Sequence, residues 1–153
     1  MRPTFCIPFI AILLLPVAAL GQERPVKMKD LPPAVQKTVT EQSKGAKLRG
    51  LSTEVENGKT EYEAELIVDG HSRDVSMNAD GEVIEVEEQV ELASLPDVVQ
   101  TALKKQAGKG RITKVESVNQ TGKLVFYEAQ VRTGTKHREI RIKPDGQPAK
   151  GEQ

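Results

Sequence analysis

An internal repeat is the feature of this sequence that most constrains its fold. Residues 31–36 recur as residues 95–100, an offset of 64, and several apolar positions that follow match at the same spacing. One extra residue then enters the second copy, so that Tyr-Glu-Ala at 62–64 recurs at 127–129. The matches fall at turn and apolar positions, where chance similarity has no reason to gather. The repeat therefore predicts two copies of one supersecondary unit.

Each copy opens with the pattern of an amphipathic helix. Pro32 and Pro96 suit the first helical turn, where a missing N–H costs nothing, and Asp30 and Ser94 lie just upstream as candidate caps. Apolar side chains then recur at helical spacing, and we expect each helix to bury this one face. They are Leu31, Ala34, Val35 and Val39 in the first copy and Leu95, Val98, Val99 and Leu103 in the second.

After each helix the pattern changes to a period of two, which predicts half-buried strands. Asn57-Gly58, Asp69-Gly70 and Asp80-Gly81 separate the alternating runs, and such dipeptides are strong hairpin signals. The predicted fold class is α+β, with two tandem repeats, each one helix packed on an antiparallel three- to four-stranded meander sheet. The repeats span residues 22–93 and 94–153. Because a unit of this size is marginally stable alone, we expect the two repeats to dock on each other.

The first 21 residues have the features of a secretory signal peptide. Arg2 precedes an apolar stretch that is too short for a membrane-spanning helix and contains two prolines. Cleavage is predicted between Gly21 and Gln22, after a small-residue site. We therefore expect an exported protein, periplasmic or secreted, with no membrane span after signal removal. Cys6 lies inside the signal, so the exported chain has no cysteine for a disulfide or a thiol nucleophile.

Short motifs shared by the two copies resemble the PepSY superfamily. They are Tyr-Glu-Ala-Glu-Leu at 62–66 with Asp-Gly-Glu-Val at 80–83, and Tyr-Glu-Ala-Gln-Val at 127–131 with Asp-Gly at 145–146. Within the superfamily, the chain looks like the PepSY-like group described as β-lactamase-inhibitor-like, which is secreted and often built of tandem repeats. The resemblance spans residues 29–148 and implies a non-catalytic extracytoplasmic module. The second copy departs from the motif after Gly146, which leaves its final strand open.

The sequence contains no pattern typical of a catalytic or metal site. His71 and His137 fall near the same predicted hairpin, but neither belongs to a metal-ligand motif such as HExxH. No serine lies in a GxSxG elbow. Glutamates at 61, 63 and 65 and at 85, 87 and 88 have the spacing of strands, which is typical of a solvated sheet face. We therefore predict a protein that is not an enzyme and that uses no metal and no cofactor.

Charge is divided between the two halves of the chain. The whole sequence has 22 basic and 22 acidic residues, which argues against a nucleic-acid-binding protein. Residues 22–93 contain 9 Lys and Arg against 16 Asp and Glu, whereas residues 94–153 contain 12 against 6. We expect one uncovered sheet face to be acidic and the other mixed to basic. Such faces are either simply solvated, or attracted to each other within the molecule, or a recognition surface for a charged partner.

The functional hypothesis is an exported, non-enzymatic binding module that recognises a protein or cell-envelope component through an exposed sheet face. The candidate binding residues lie in the second repeat: Phe126, Arg132, His137, Arg141 and Lys143. Phe126 is the candidate anchor, because the inserted residue moves it off the core side and leaves it exposed. Two alternatives stay open: an inhibitor or folding assistant of an exported hydrolase, and a metal-dependent sensor that uses the two histidines.

Overall fold

A computed structural model describes residues 23–56 and 58–149 of the chain. The predicted signal peptide and its cleavage site lie outside the described residues. These residues form two α-helices, eight β-strands and two single turns of 3-10 helix. The helices are α1 (Pro33–Gln42) and α2 (Asp97–Ala107). The strands are β1 (Arg24–Pro25), β2 (Lys47–Glu56), β3 (Lys59–Val68), β4 (His71–Met77), β5 (Val83–Gln89), β6 (Arg111–Gln120), β7 (Lys123–Thr133) and β8 (Lys136–Ile142).

All eight strands join in a single antiparallel sheet, in the order in which they occur along the chain. β5 pairs with β6, in a register that runs from Glu85 opposite Gln120 to Gln89 opposite Glu116. The predicted fold class of two tandem repeats, each with its own sheet, is therefore wrong. The molecule is mostly one sheet with two short helices. Two separate meanders would each leave an open edge at this point, and pairing β5 with β6 satisfies the backbone groups of both edges.

Each helix packs on its own half of the sheet and forms its own apolar core. The docking of two separate repeats, as predicted, is not shown by this arrangement. The α1 core consists of Leu31, Val35, Val39, Ala64, Leu66, Val75 and Met77. The α2 core consists of Leu95, Val99, Leu103, Ala107, Val115, Ala129, Val131, Ile140 and Ile142.

Both helices cover the same face of the sheet. Val86 packs against the α1 core and is in register with Asn119 of β6. Two residues earlier on β6, and so on the same face, Ser117 is in register with Tyr127, which packs against the α2 core. The opposite face of the sheet consequently carries no helix from the part of the chain that the structure describes.

The helices begin as predicted, but the predicted caps do not form. Asp30 and Ser94 lie in the two 3-10 turns, the N-cap positions are the prolines that follow, and no side chain caps either helix. Gln36 Nε2 instead donates to the Leu31 carbonyl at 2.9 Å, and Gln100 Nε2 donates in the same way to the carbonyl of Leu95 at 3.0 Å. These bonds tie the first turn of each helix to the segment before it.

The segment after β8 is described as far as residue 149. It adds an isolated bridge between Ile142 and Pro148 in place of a further strand. Over residues 23–56 and 58–149, β8 is therefore the last strand of the sheet. Among the described residues, no helix is long and apolar enough to cross a membrane.

Candidate functional site

The side of the sheet that carries no helix is lined mostly by charged side chains. Its members alternate with core residues along each strand, because successive side chains of a strand point to opposite faces. We call this surface the helix-free face. The pairing registers place on it Glu54, Glu61, Glu63, Glu65, Asp74, Glu85, Glu87, Lys114, Glu116, Val118, Phe126, Glu128, Gln130, Arg132, His137, Glu139 and Arg141.

Three carboxylates converge near the middle of this face. Asp74 and Glu87 are directly opposite each other on β4 and β5, and Glu116 lies on the adjoining β6. Their nearest oxygens all lie within 4.8 Å of one another, and Glu116 is 3% exposed. We call these three residues the carboxylate centre. Its geometry arises from the β5–β6 pairing, which brings together the acidic and the basic half of the sequence.

A basic side chain of the same sheet contacts the carboxylate centre. Lys114 Nζ lies 2.5 Å from Glu116 Oε1, and its charge also lowers the pKa of Asp74. The contact is an ion pair rather than an aligned hydrogen bond, since Glu116 Oε1 accepts no hydrogen bond from the described residues. The oxygens of the centre are close enough to hold one cation, and the Lys114 ammonium already contacts one of them.

Several carboxylates of the helix-free face hold their protons unusually strongly. Burial, and then the charges of Glu85, Glu116 and other acidic neighbours, raises the pKa of Glu87 from 4.5 to about 8. Burial and nearby acidic groups likewise raise the pKa of Glu63 from 4.5 to about 7. The pKa of Asp74 is also raised by burial, against the opposing effect of Lys114. Burial is the largest cause in each case.

The opposite end of the face is built around an arginine. Arg141 Nε donates to Glu128 Oε2 at 2.6 Å, and the guanidinium carbon lies 5.0 Å from the centroid of the Phe126 ring. Burial raises the pKa of Glu128, while the hydrogen bond from Arg141 acts in the other direction. The three side chains hold one another in place, since the charged pair and the cation–π contact share the same guanidinium.

The predicted binding residues are distributed unevenly over this end. Phe126 does lie off the core side, but it is 9% exposed, so its predicted role as an exposed anchor is wrong. The physical reason is Arg141, whose guanidinium covers the ring. Arg132 and His137 are exposed and opposite each other on β7 and β8, and Lys143 is exposed just after β8. The exposed basic residues therefore lie toward the outer edge, at a distance of several strands from the acidic side.

The two histidines are not brought together. His71 lies on the helix-bearing face of β4, where its Nε2 is 3.7 Å from Glu91 Oε1, whereas His137 lies on the helix-free face of β8. Residues on opposite faces of a sheet, four strands apart, cannot share a metal ion. The structure thus gives no geometric support to a site built from both histidines.

The sequence did not predict the carboxylate centre. The glutamates of β3 and β5 were interpreted as a solvated row, yet Glu63 and Glu87 are partly buried. Glu116 was not singled out at all. The alternation of Lys114 and Glu116 along β6 was the available signal, but it acquires a meaning only when β5 is known to lie beside β6.

Comparisons with known proteins identify the fold. No family model matches the chain, and no curated protein matches it in sequence. Solved structures do match, among them a Bacteroides eggerthii protein provisionally described as periplasmic, with a TM-score of 0.64 and 18% identity over 78% of this chain and 86% of that one. A DUF2874 family protein from Bacteroides ovatus has a TM-score of 0.60 and 19% identity, covering 78% of this chain and 85% of that one. A BLIP-like protein from Bacteroides fragilis has a TM-score of 0.58 and 18% identity, covering 78% and 84%. The chain therefore has a BLIP-like fold.

Proposed function

We propose that the chain is an exported, non-enzymatic binding protein that recognises a protein partner through the helix-free face. The observation that carries the proposal is the make-up of this face: no helix among the described residues covers it, and charged side chains predominate along its strands. Glu63 and Glu87 are half-buried on it and have raised pKa values. Burying a charged group is costly unless it is paired, so carboxyl groups in this position favour a role beyond that of a solvated surface.

The charge on the face is arranged as a gradient. Carboxylates dominate β3 to β5, while the exposed residues Arg132 and Lys143 lie at the β7–β8 side. A partner with the opposite arrangement would be oriented before contact, which affects association rate and specificity more than affinity. The Arg141–Phe126 pair supplies a fixed, partly apolar element between the two regions.

The comparisons support export and an inhibitor-like role without extending to a specific partner. One matching structure is provisionally described as periplasmic and another as BLIP-like. An exported location, with a signal peptide over residues 1–21, is consistent with the first description. An inhibitor or folding assistant of an exported hydrolase is the alternative that the second description favours. PepSY membership stays a hypothesis that rests on the motifs at 62–66 and 127–131. The metal-dependent sensor has the least support, because His71 and His137 lie on opposite faces.

Capture followed by reconstitution tests the proposal. The exported chain is used as bait in extracytoplasmic extract, and each retained protein is identified, purified and titrated against the bait by calorimetry. The face variant is Arg132→Glu with Lys143→Glu, which leaves the Arg141–Glu128 pair intact. The control variant, Lys37→Glu with Lys105→Glu, makes the same charge change at exposed positions of α1 and α2.

A protein that binds 1:1, and that loses about tenfold or more of its affinity to the face variant but not to the control, would support the proposal. Equal losses with the two variants would mean that net charge, and not this face, drives the association. An unaltered affinity for both variants would place the binding surface elsewhere.

A further inference from the structure

The turn after β8 repeats the turn that leads from β4 into β5. Met77 of β4 is in register with Val83, the first residue of β5. At an offset of 65, Ile142 of β8 forms a bridge with Pro148, and the backbone hydrogen bonds of the two turns match as well. β5 then continues along β4, whereas the described residues end at 149, one residue beyond the bridge. Over the described part of the chain, the place beside β8 that corresponds to β5 is therefore filled at one end only.

The remainder of this edge presents backbone hydrogen-bonding groups. Ala149 N donates to the Arg141 carbonyl at 2.9 Å, so that carbonyl points away from β7. Alternate residues of an antiparallel strand direct their backbone groups to the same side, so the N–H and C=O groups of His137 and Glu139 also point outward. No strand of the described sheet lies on that side of β8. We call residues 136–140 the open edge.

A cavity and a basic surrounding adjoin the open edge. The cavity has a volume of about 430 Å³ and is lined by Gln130, His137, Arg138 and Glu139. The last three of these residues are exposed. Residues 136–143 include four lysines and arginines against one glutamate. A strand added along this edge would find both backbone partners and a pocket for one of its side chains, the combination by which sheet edges bind peptides.

We propose that the open edge binds an extended acidic segment of another protein by β-strand addition. The added strand exchanges backbone hydrogen bonds with His137 and Glu139, and an acidic side chain enters the cavity beside Arg138. The first copy shows which chemistry the corresponding edge of β4 accepts, since β5 combines valine and isoleucine with three glutamates. The proposal concerns the edge of the sheet and does not depend on the role proposed for the helix-free face.

A second copy of this chain is a poorer occupant of the open edge. Two β8 strands paired antiparallel about the middle of the open edge would place Arg138 opposite the same residue of the other copy. Like charges directly opposite each other are destabilising, and charged side chains on edge strands commonly prevent such self-association. An acidic segment does not meet this obstacle, because the basic side chains attract it.

A peptide with the sequence of β5, Val-Ile-Glu-Val-Glu-Glu-Gln, provides the test. The fluorescein-labelled peptide is titrated with the exported chain, and binding is followed by anisotropy. The site variant is Glu139→Pro, which removes an outward N–H at a kind of position where an edge strand tolerates proline. The matched control is Glu139→Ala, which loses the same negative charge but keeps the N–H. Circular dichroism verifies that both variants are folded, and a peptide with lysine in place of each glutamate is the probe of opposite charge.

We expect the acidic peptide to bind the Glu139→Pro variant about tenfold more weakly than the parent, and to bind the Glu139→Ala variant equally or more tightly. Loss of a negative charge by itself favours an acidic peptide, so weaker binding by the proline variant reports on the backbone. The lysine peptide should bind the parent at least about fivefold more weakly than the acidic peptide does. Exchange of the amide hydrogens of His137 and Glu139 should slow in the complex.

No binding of the acidic peptide, or equal binding by the two variants, would overturn the proposal. Binding that appears only after removal of residues 150–153 would overturn it in favour of the chain's own end as the occupant of the edge. Dimers of the parent that the Glu139→Pro variant cannot form would overturn it in favour of a second copy. If the proline variant does not fold, two peptides methylated at alternate sets of backbone nitrogens replace it. One of these peptides should lose its binding, and equal binding of both would refute the proposal.

Discussion

Replacement of Glu87 by glutamine should make the protein more stable, and only at high pH. The pKa of Glu87 is raised from 4.5 to about 8 in the folded chain, chiefly by burial. The folded state therefore binds more protons than the unfolded state between these values, and the free energy of unfolding falls as the pH rises through that window. At 1.36 kcal/mol per pKa unit, the free energy of unfolding falls by at most about 5 kcal/mol across this window. Since the side chain is partly open to water, solvent screening reduces it to about 1 to 2 kcal/mol.

Urea unfolding followed by circular dichroism measures this effect. At pH 9 the Glu87→Gln variant should have a free energy of unfolding about 1 to 2 kcal/mol higher than that of the parent, because the variant carries no charge to desolvate. At pH 4.5 the difference should be close to zero, since the parent glutamate is then neutral in the folded state. Glu41→Gln, at an exposed site on α1, is the control and should change stability by less than about 0.5 kcal/mol at either pH. A variant less stable than the parent at pH 9, or equally stabilised at both pH values, would refute the reasoning.

Three further predictions concern the core, a turn and the buried ion pair. Leu103→Ala, which empties a fully buried position of the α2 core, should cost about 2 to 5 kcal/mol in urea unfolding. Gly81→Ala should lower the free energy of unfolding by about 1 to 3 kcal/mol more than Gly122→Ala does. Both glycines have positive φ, but a Cβ at Gly81 would lie 2.7 Å from a backbone oxygen of α1, whereas Gly122 faces open space. Equal decreases in Tm for the two variants would contradict this. Arg141→Met should lower the free energy of unfolding by about 1 to 3 kcal/mol at pH 8 and by less at pH 5. The variant leaves Glu128 buried without its hydrogen-bond donor, and this carboxylate is more readily protonated at the lower pH. A loss of stability that is independent of pH would argue against this reasoning.

Elements set by local sequence were predictable. The stripe of apolar residues behind Pro32 and Pro96 indicated both helices, and α1 and α2 occupy those segments. Asp69-Gly70 lies between β3 and β4, where both residues have positive φ as a tight hairpin requires. Asp80-Gly81 likewise lies between β4 and β5. In each case the signal and the structure that it determines lie within about ten residues of each other.

Features that depend on contacts between distant segments were not predictable in this way. The pairing of β5 with β6 joins strands that are separated in sequence by α2. The sequence of neither strand identifies the strand with which it pairs. Alternation tells which residues share a face of one strand, but it says nothing about which strand lies alongside. The sequence therefore placed Glu87 in a solvated row and offered no indication that it would lie near Glu116.

The continuous sheet changes what the division of charge means. With two separate units, an acidic surface and a basic surface could face different partners or could neutralise each other by docking. With β5 paired to β6, both surfaces belong to one face of one sheet. The acidic and the basic side chains are then held in place by their strands, which lie about 4.8 Å apart, and cannot dock on each other. Lys114 and Arg141 each neutralise one neighbouring glutamate, whereas burial and then nearby acidic groups raise the pKa values of Glu63 and Glu87. The proposed function assigns this single face, with its acidic and its basic parts, to the recognition of one partner.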